Sequence, residues 1–170
     1  LFMSAGFIDI SVGANLVLSS VIGARVMLSL AGDRDPTTGE YTNWGPAIVV
    51  SALVCLLCGL LFGVINGLFI AVLGVNSLIA TLGTTGIATG ASLLLTSGTE
   101  IGNLPDQVQT GFGISTLGPI PVPTLIALAV TALVWAYFRF SRYGTYTLAI
   151  GSSRPAAERA GIRVKPHIVA

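Results

Sequence analysis

Apolar residues along this chain come in long unbroken runs, not in alternation and not in narrow stripes. No Asp, Glu, Lys or Arg occurs from Tyr41 to Thr99, and none from Gln107 to Phe138. An uncharged apolar run of about 18 residues or more is long enough to cross a bilayer as a helix. A membrane β-strand would alternate apolar and polar residues over about ten positions, and these runs do not. The pattern predicts four spans, at 11–31, 46–73, 77–97 and 122–140. The fold class expected is all-α, a polytopic membrane bundle.

Composition agrees with the pattern. The 170 residues are 53% hydrophobic and 9% charged, with a mean hydropathy of +0.87. Soluble domains carry roughly 25% charged residues, so this chain lacks the polar surface to cover itself in water. Net charge is +1 and gives no ground for a nucleic-acid partner.

The position of the charges says more than their sum. Of the eight basic residues, six stand at or after the end of the fourth span: Arg139, Arg142, Arg154, Arg159, Arg163 and Lys165. Loop 99–120 has Glu100 and Asp106 and no base, and loop 32–45 sets three acids against Arg34. Basic loops stay in the cytoplasm, so the C-terminal segment is expected inside. Counting back puts 99–120 outside, 74–76 inside, 32–45 outside and the start of the chain inside. A re-entrant third segment would overturn that parity.

Two spans carry small and polar residues suited to helix contacts. Gly59, Gly63 and Gly67 repeat every four residues in the second span, and Gly86 and Gly90 do so in the third. Small residues let membrane helices approach closely. Thr81, Thr84, Thr85 and Thr89 add hydroxyls to the third span. They read as interhelical hydrogen-bonding groups or, together with Asn15 and Asn66, as the lining of a polar path.

Asp9 is the unexpected charge, in "GFIDISVG". A carboxylate facing lipid costs at least about 2.5 kcal/mol on insertion scales. It therefore reads either as a cap at the start of the first helix or as a group at a helix break near Gly6, facing a solute. Arg25 lies near the outer end of its span, where its long stem can reach the headgroups. Cys55 and Cys58 form a C-x-x-C inside a purely apolar stretch without His or carboxylate, and read as small hydrophobes. No metal site and no catalytic set is expected. His167 has no visible partner.

The segment 141–166 is expected to be a cytoplasmic loop holding one short helix, "SSRPAAERAG". Ser152 or Ser153 would cap it, Pro155 suits its first turn, and Gly161 would end it. Two turns are too few to be stable alone, so the helix should dock, against anionic lipid or in a partner's cleft.

Three stretches in order resemble one known family. "GFIDISVGANLVLS" is similar to the Gly-Ile-Asp-Leu-Ser-Val-Gly signature of bacterial ABC-transporter permeases for ribose, xylose, arabinose and related sugars. "LFGVINGLFIAVLGVNSLIATLGTTGIATGASLLLTSG" resembles the stretch that follows it, and "RYGTYTLAIGSSRPAAERAGIRV" resembles the family's cytoplasmic loop. The chain departs from the family's habit at Thr89, Thr145 and Ser152-Ser153, and its 32–45 loop looks longer.

The resemblance implies a partial transmembrane permease domain over 1–170, with further helices on either side, in the bacterial cytoplasmic (inner) membrane. It implies a cytoplasmic ATPase that uses ATP and Mg, an extracytoplasmic sugar-binding protein, and a second permease subunit in a homo- or heterodimer. Ala156, Ala157, Glu158, Arg159 and Gly161 would then form the coupling helix that meets the ATPase. The chain has no G-x-x-x-x-G-K-[ST] loop, so no nucleotide cofactor is expected on it. An ion-coupled secondary transporter, with Asp9 as the ion site, and a branched-chain amino-acid permease stand as alternatives.

Overall fold

The computed structural model describes residues 8–35, 37, 40–164 and 167. In chain order its elements are α1 (Val12–Leu30), α2 (Trp44–Ala71), α3 (Ser77–Thr96) and the single turn α4 (Asp106–Val108), which widens into a π-helical turn over Gln109–Gly113. A two-residue hairpin follows, β1 (Thr116–Leu117) against antiparallel β2 (Ile120–Pro121). Then come α5 (Val122–Phe140), α6 (Arg142–Ser152) and α7 (Arg154–Arg159).

Helices α1, α2, α3 and α5 are long and apolar enough to cross a membrane. At about 1.5 Å per residue, the 20 residues of α3 reach about 30 Å, the thickness of a bilayer's hydrocarbon core. The helix runs without a break over that length. The 28 residues of α2 reach about 42 Å and exceed that thickness, which a tilt accommodates. The turn from α2 to α3 is closed by Asn76, whose Oδ1 accepts from the Leu78 amide at 2.9 Å. That bond satisfies one of the amides a helix start leaves unpaired.

Helix α1 packs along both α2 and α3. It approaches α2 closely at Gly23, where an added Cβ would collide with Cys55 Sγ. The buried side of α3 is Ala80, Thr81, Thr84, Ala88 and Ser92, a stripe repeating every three to four residues. Small residues on both sides let the three helices close without bulky interdigitation. By contrast α5 has no buried residue and makes its main contacts with α6, β2 and the π-helical turn.

Two apolar clusters mark the two ends of the bundle. At one end Met27, Ala31 and Ala47 are buried under Tyr41, Ile48, Leu104 and Val108, so loops 32–45 and 99–120 lie together. The Tyr41 hydroxyl donates to the Asn103 carbonyl at 2.6 Å, and Gln107 Nε2 donates to Glu40 Oε1 at 3.2 Å. At the other end Ala71 meets Ile150, Ala157 and Val164. The acidic loops share one end, and the basic C-terminal segment shares the other with the α2–α3 turn.

The segment after α5 holds two helices where the sequence suggests one. "RYGTYTLAIG" is rich in Tyr, Thr and Gly, which are weak helix formers, yet it forms α6. Ser141 Oγ caps α6, accepting from the Gly144 amide at 3.1 Å, and Gly144, Thr147 and Ile150 make its buried side. Gly144 sits against the last turn of α5, where a Cβ would run into the Phe138 carbonyl. Tertiary burial overrides local propensity here.

Candidate functional site

The C-terminal end of α2 carries a docked surface helix. Ser153 Oγ accepts from the Ala156 amide at 3.4 Å, and Pro155 lies in the first turn. Gly161 adopts φ +83°, a left-handed backbone that favours glycine. The amides of Gly161 and Ile162 then donate to the Glu158 and Ala157 carbonyls, at 3.0 and 3.1 Å. Ala157, 4% exposed, is the one residue of α7 that is buried, against Ala71, Ile150 and Val164. Ala156, Glu158, Arg159 and Gly161 face outward. Arg154 Nε donates to Glu158 Oε1 at 3.2 Å, an exposed i,i+4 pair that adds only about 0.3–0.5 kcal/mol. A partner can therefore displace it at little cost.

His167 is not alone. Its ring stacks on Tyr143, with centroids 4.2 Å apart, and Nε2 lies 2.9 Å from Thr147 Oγ1. The Thr147 hydroxyl already donates to the Tyr143 carbonyl at 2.8 Å, so it accepts from Nε2–H. The Tyr143 hydroxyl donates to the His167 carbonyl at 3.2 Å. Burial pulls the His167 pKa below its usual value and pushes that of Tyr143 up, with Tyr137 adding to the latter.

A depressed folded-state pKa stabilises the neutral, folded form, and that contribution is lost as pH falls below about 6.5 through the lowered value. The melting temperature of the full-length protein in lipid nanodiscs should therefore drop between pH 7.5 and 5. The His167→Gln variant should show a flatter profile, and identical profiles for the two proteins would remove His167 as the cause.

Near the same end, a polar node joins the starts of α1 and α3 to α2. Asp9 Oδ1 accepts from the Ser11 amide at 2.8 Å and from the Ser11 hydroxyl at 2.6 Å. The carboxylate thus ties off the residue that precedes α1, and the first α1 turn closes through the Asn15 amide to the Ser11 carbonyl, 2.9 Å. Asn66 Nδ2 donates to Ser11 Oγ at 2.8 Å, and the Ile10 amide donates to Thr81 Oγ1 at 3.3 Å. The node joins α1, α2 and α3 through Ser11, Asn66 and Thr81, which are 2%, 1% and 0% exposed. Gly6, the expected break, lies outside the described residues.

The other sequence-singled residues fall into place around these two features. Thr84 and Thr85 donate to the Thr81 carbonyl at 3.1 and 2.7 Å, so their hydroxyl protons are engaged on their own helix. Thr84 is buried and Thr85 half-buried, while Thr89 faces outward. Gly67 is buried and Gly59 lies opposite Asn15. Gly86 faces outward, and around Gly63, Gly86 and Gly90 a Cβ would meet nothing within 4 Å. The close approach the glycine repeats suggested is made instead by Gly23.

Arg25 reaches across from α1 and donates to the Leu95 carbonyl in the last turn of α3, where a cation meets the negative end of the helix dipole. Both cysteines are free, and Cys55 Sγ donates to the Ser19 carbonyl at 3.2 Å. No cluster of three metal-ligating side chains occurs among the described residues.

Comparison with known proteins places this architecture. The chain is 32% identical over 162 residues to the D-allose transport system permease protein AlsC of Escherichia coli K12, covering 95% of this chain and 45% of that one. It is 31% identical over 177 residues to the autoinducer 2 import system permease protein LsrD of Klebsiella pneumoniae, covering 99% and 48%. It is 30% identical over 154 residues to the autoinducer 2 import system permease protein LsrC of Photorhabdus luminescens, covering 91% and 46%. The chain spans about half the length of these curated relatives. No solved structure matches it. The family described as branched-chain amino acid transport system / permease component matches residues 1–170 throughout, and with four membrane-length helices in place, the chain belongs to that family of multi-pass membrane permeases.

Proposed function

We infer that this chain is part of a permease subunit of a bacterial ABC importer in the inner membrane, carrying a monosaccharide or a similar polyol. The observation that carries this reading is α7. It is a capped helix of six residues, too short to persist undocked, held by one buried alanine on the end of a membrane-spanning helix, with its charges turned outward. A helix so mounted passes a push from a cytoplasmic partner into α2. The relatives named for D-allose and autoinducer 2 support the substrate class.

In this reading the partner is an ATPase that binds ATP and Mg, an extracytoplasmic binding protein delivers the sugar, and a second permease subunit completes the path. The single lysine of the chain, Lys165, is in no phosphate-binding loop, so hydrolysis is assigned to the partner. Of the path candidates, Asn66, Thr81 and Thr84 are buried and Asp9, Asn15 and Thr85 are half-buried, so a solute outside the three-helix bundle would meet the latter three first.

The full-length protein in proteoliposomes with its ATPase and binding protein should take up D-allose only with internal ATP, and should do so despite an uncoupler. Uptake that persists without the ATPase refutes the reading in favour of an ion-coupled carrier. The family's own description favours a second reading, branched-chain amino acids; leucine uptake in place of sugar uptake in the same vesicles would establish it.

A further inference from the structure

The polar node leaves two acceptors over. The Ser11 hydroxyl has one proton, which goes to Asp9 Oδ1 at 2.6 Å, so toward Asn66 it accepts. That orients the Asn66 amide with its nitrogen on Ser11, 2.8 Å away, and its oxygen turned off. Asn66 Oδ1 is buried and has no hydrogen-bond partner, and the residue is 1% exposed. Asn15 stands one turn beyond Ser11 on the same side of α1, its Nδ2 4.0 Å from where a Gly59 Cβ would lie. Asn15 Oδ1 is likewise buried and unpaired.

Two orphan carbonyls therefore belong to residues of the α1–α2 interface, Asn15 beside Gly59 on α2 and Asn66 bonded to Ser11 before α1. Along α2 between them, Gly63 is one turn from Gly59 and three residues from Asn66, and a Cβ on it would meet no heavy atom within 4 Å. An unpaired amide oxygen in an apolar interior is costly, and both costs are removed by one molecule carrying two donors. A site needs polar partners and room to hold water; the two unpaired oxygens are the partners, and the open space at Gly63 is the nearest room.

We propose that the space beside Gly63 is an internal hydration site, in which one water bridges α1 and α2 by donating a hydrogen to Asn15 Oδ1 and the other to Asn66 Oδ1. The site is a structural joint of the bundle, independent of what the protein transports. It also gives Gly63 a use that helix packing does not, since no side chain of α1 closes on it.

The test turns on a sign. In a dry interface Gly63→Ala fills open space and gains helix propensity, so the melting temperature of the full-length protein in nanodiscs rises. At a hydration site the methyl displaces the water and strands both carbonyls, and the melting temperature falls by a few degrees. Asn15→Ala and Asn66→Ala should each lower it, and the double variant should lower it by less than the sum, because either change alone releases the shared water. An electron cryomicroscopy map that resolves water should show a peak within hydrogen-bond reach of both oxygens. A higher melting temperature for Gly63→Ala, or strictly additive asparagine variants, overturns the proposal. So does a Gly63→Ala protein with unchanged melting temperature and a raised KM for D-allose, which would make the space a substrate contact.

Discussion

Sugar uptake should fall at least tenfold when Ala157 is replaced by phenylalanine, with the protein still inserted and folded. Ala157 is 4% exposed and packs against Ala71, Ile150 and Val164, so a ring at this position has no space. Overpacking costs about 1–3 kcal/mol. The question is which contact yields. The bundle of α1, α2 and α3 is held over its whole length, whereas α7 is a six-residue helix held by one side chain. The strain therefore lifts α7 and leaves α2 in place, and about 2 kcal/mol shifts its docked population some 30-fold. ATP hydrolysis by the reconstituted complex should continue while transport stops. The Ala157→Ser variant, similar in volume, should retain most uptake. Wild-type transport by Ala157→Phe would detach α7 from any coupling role.

This expectation depends on α7 lying at the cytoplasmic end of the bundle, the end proposed for it from the charge pattern. Basic loops favour the cytoplasmic side, which is the ground for that proposal. The structure groups that segment with the α2–α3 turn through Ala71 and Val164, and groups the acidic loops through Tyr41 and Asn103 at the far end. Neither grouping is local in sequence. An odd number of crossings among α1, α2, α3 and α5 would have mixed acidic and basic loops at one end.

What could be read from the sequence follows from how each signal is encoded. The membrane helices were legible because a run of about 20 uncharged residues is a one-dimensional signal that no soluble alternative satisfies. The Ser153 cap, Pro155 and Gly161 mark α7 for the same reason: each acts on its own backbone neighbours. Helix α6 was not legible, because its residues are poor helix formers and its stability comes from burying Gly144, Thr147 and Ile150. The partners of His167, Arg25 and Ser11 were hidden in the same way. Tyr143, Leu95 and Asn66 are 24, 70 and 55 residues distant. Repeats of glycine drew attention to α2, but a glycine's packing role depends on what stands opposite. That is unreadable from its own helix.

Gly23 is the sharpest case, and its substitution should reverse sign with a partner on another helix. Alanine is better than glycine in a helix by about 0.8–1 kcal/mol, so at an open position Gly→Ala stabilises. At Gly23 the added Cβ collides with Cys55 Sγ, while the Ser51 carbonyl lies at an ordinary 3.5 Å. The thiol is held by its bond to the Ser19 carbonyl, so moving it sacrifices that bond as well. The collision, at about 1–3 kcal/mol, outweighs the propensity gain. Gly23→Ala alone should therefore lower the melting temperature of the full-length protein in nanodiscs. In a Cys55→Ala background the colliding atom is gone and only the propensity term remains, so the same substitution should raise it. Gly23→Val should be worse than Gly23→Ala in both backgrounds, because its γ-methyls reach beyond the space Sγ vacates. If Gly23→Ala is neutral with Cys55 present, the thiol rotates away freely and α1 and α2 are not locked at this point. If it lowers stability equally in both backgrounds, the constraint lies in the backbone of α2 at Ser51 and not in the Cys55 side chain.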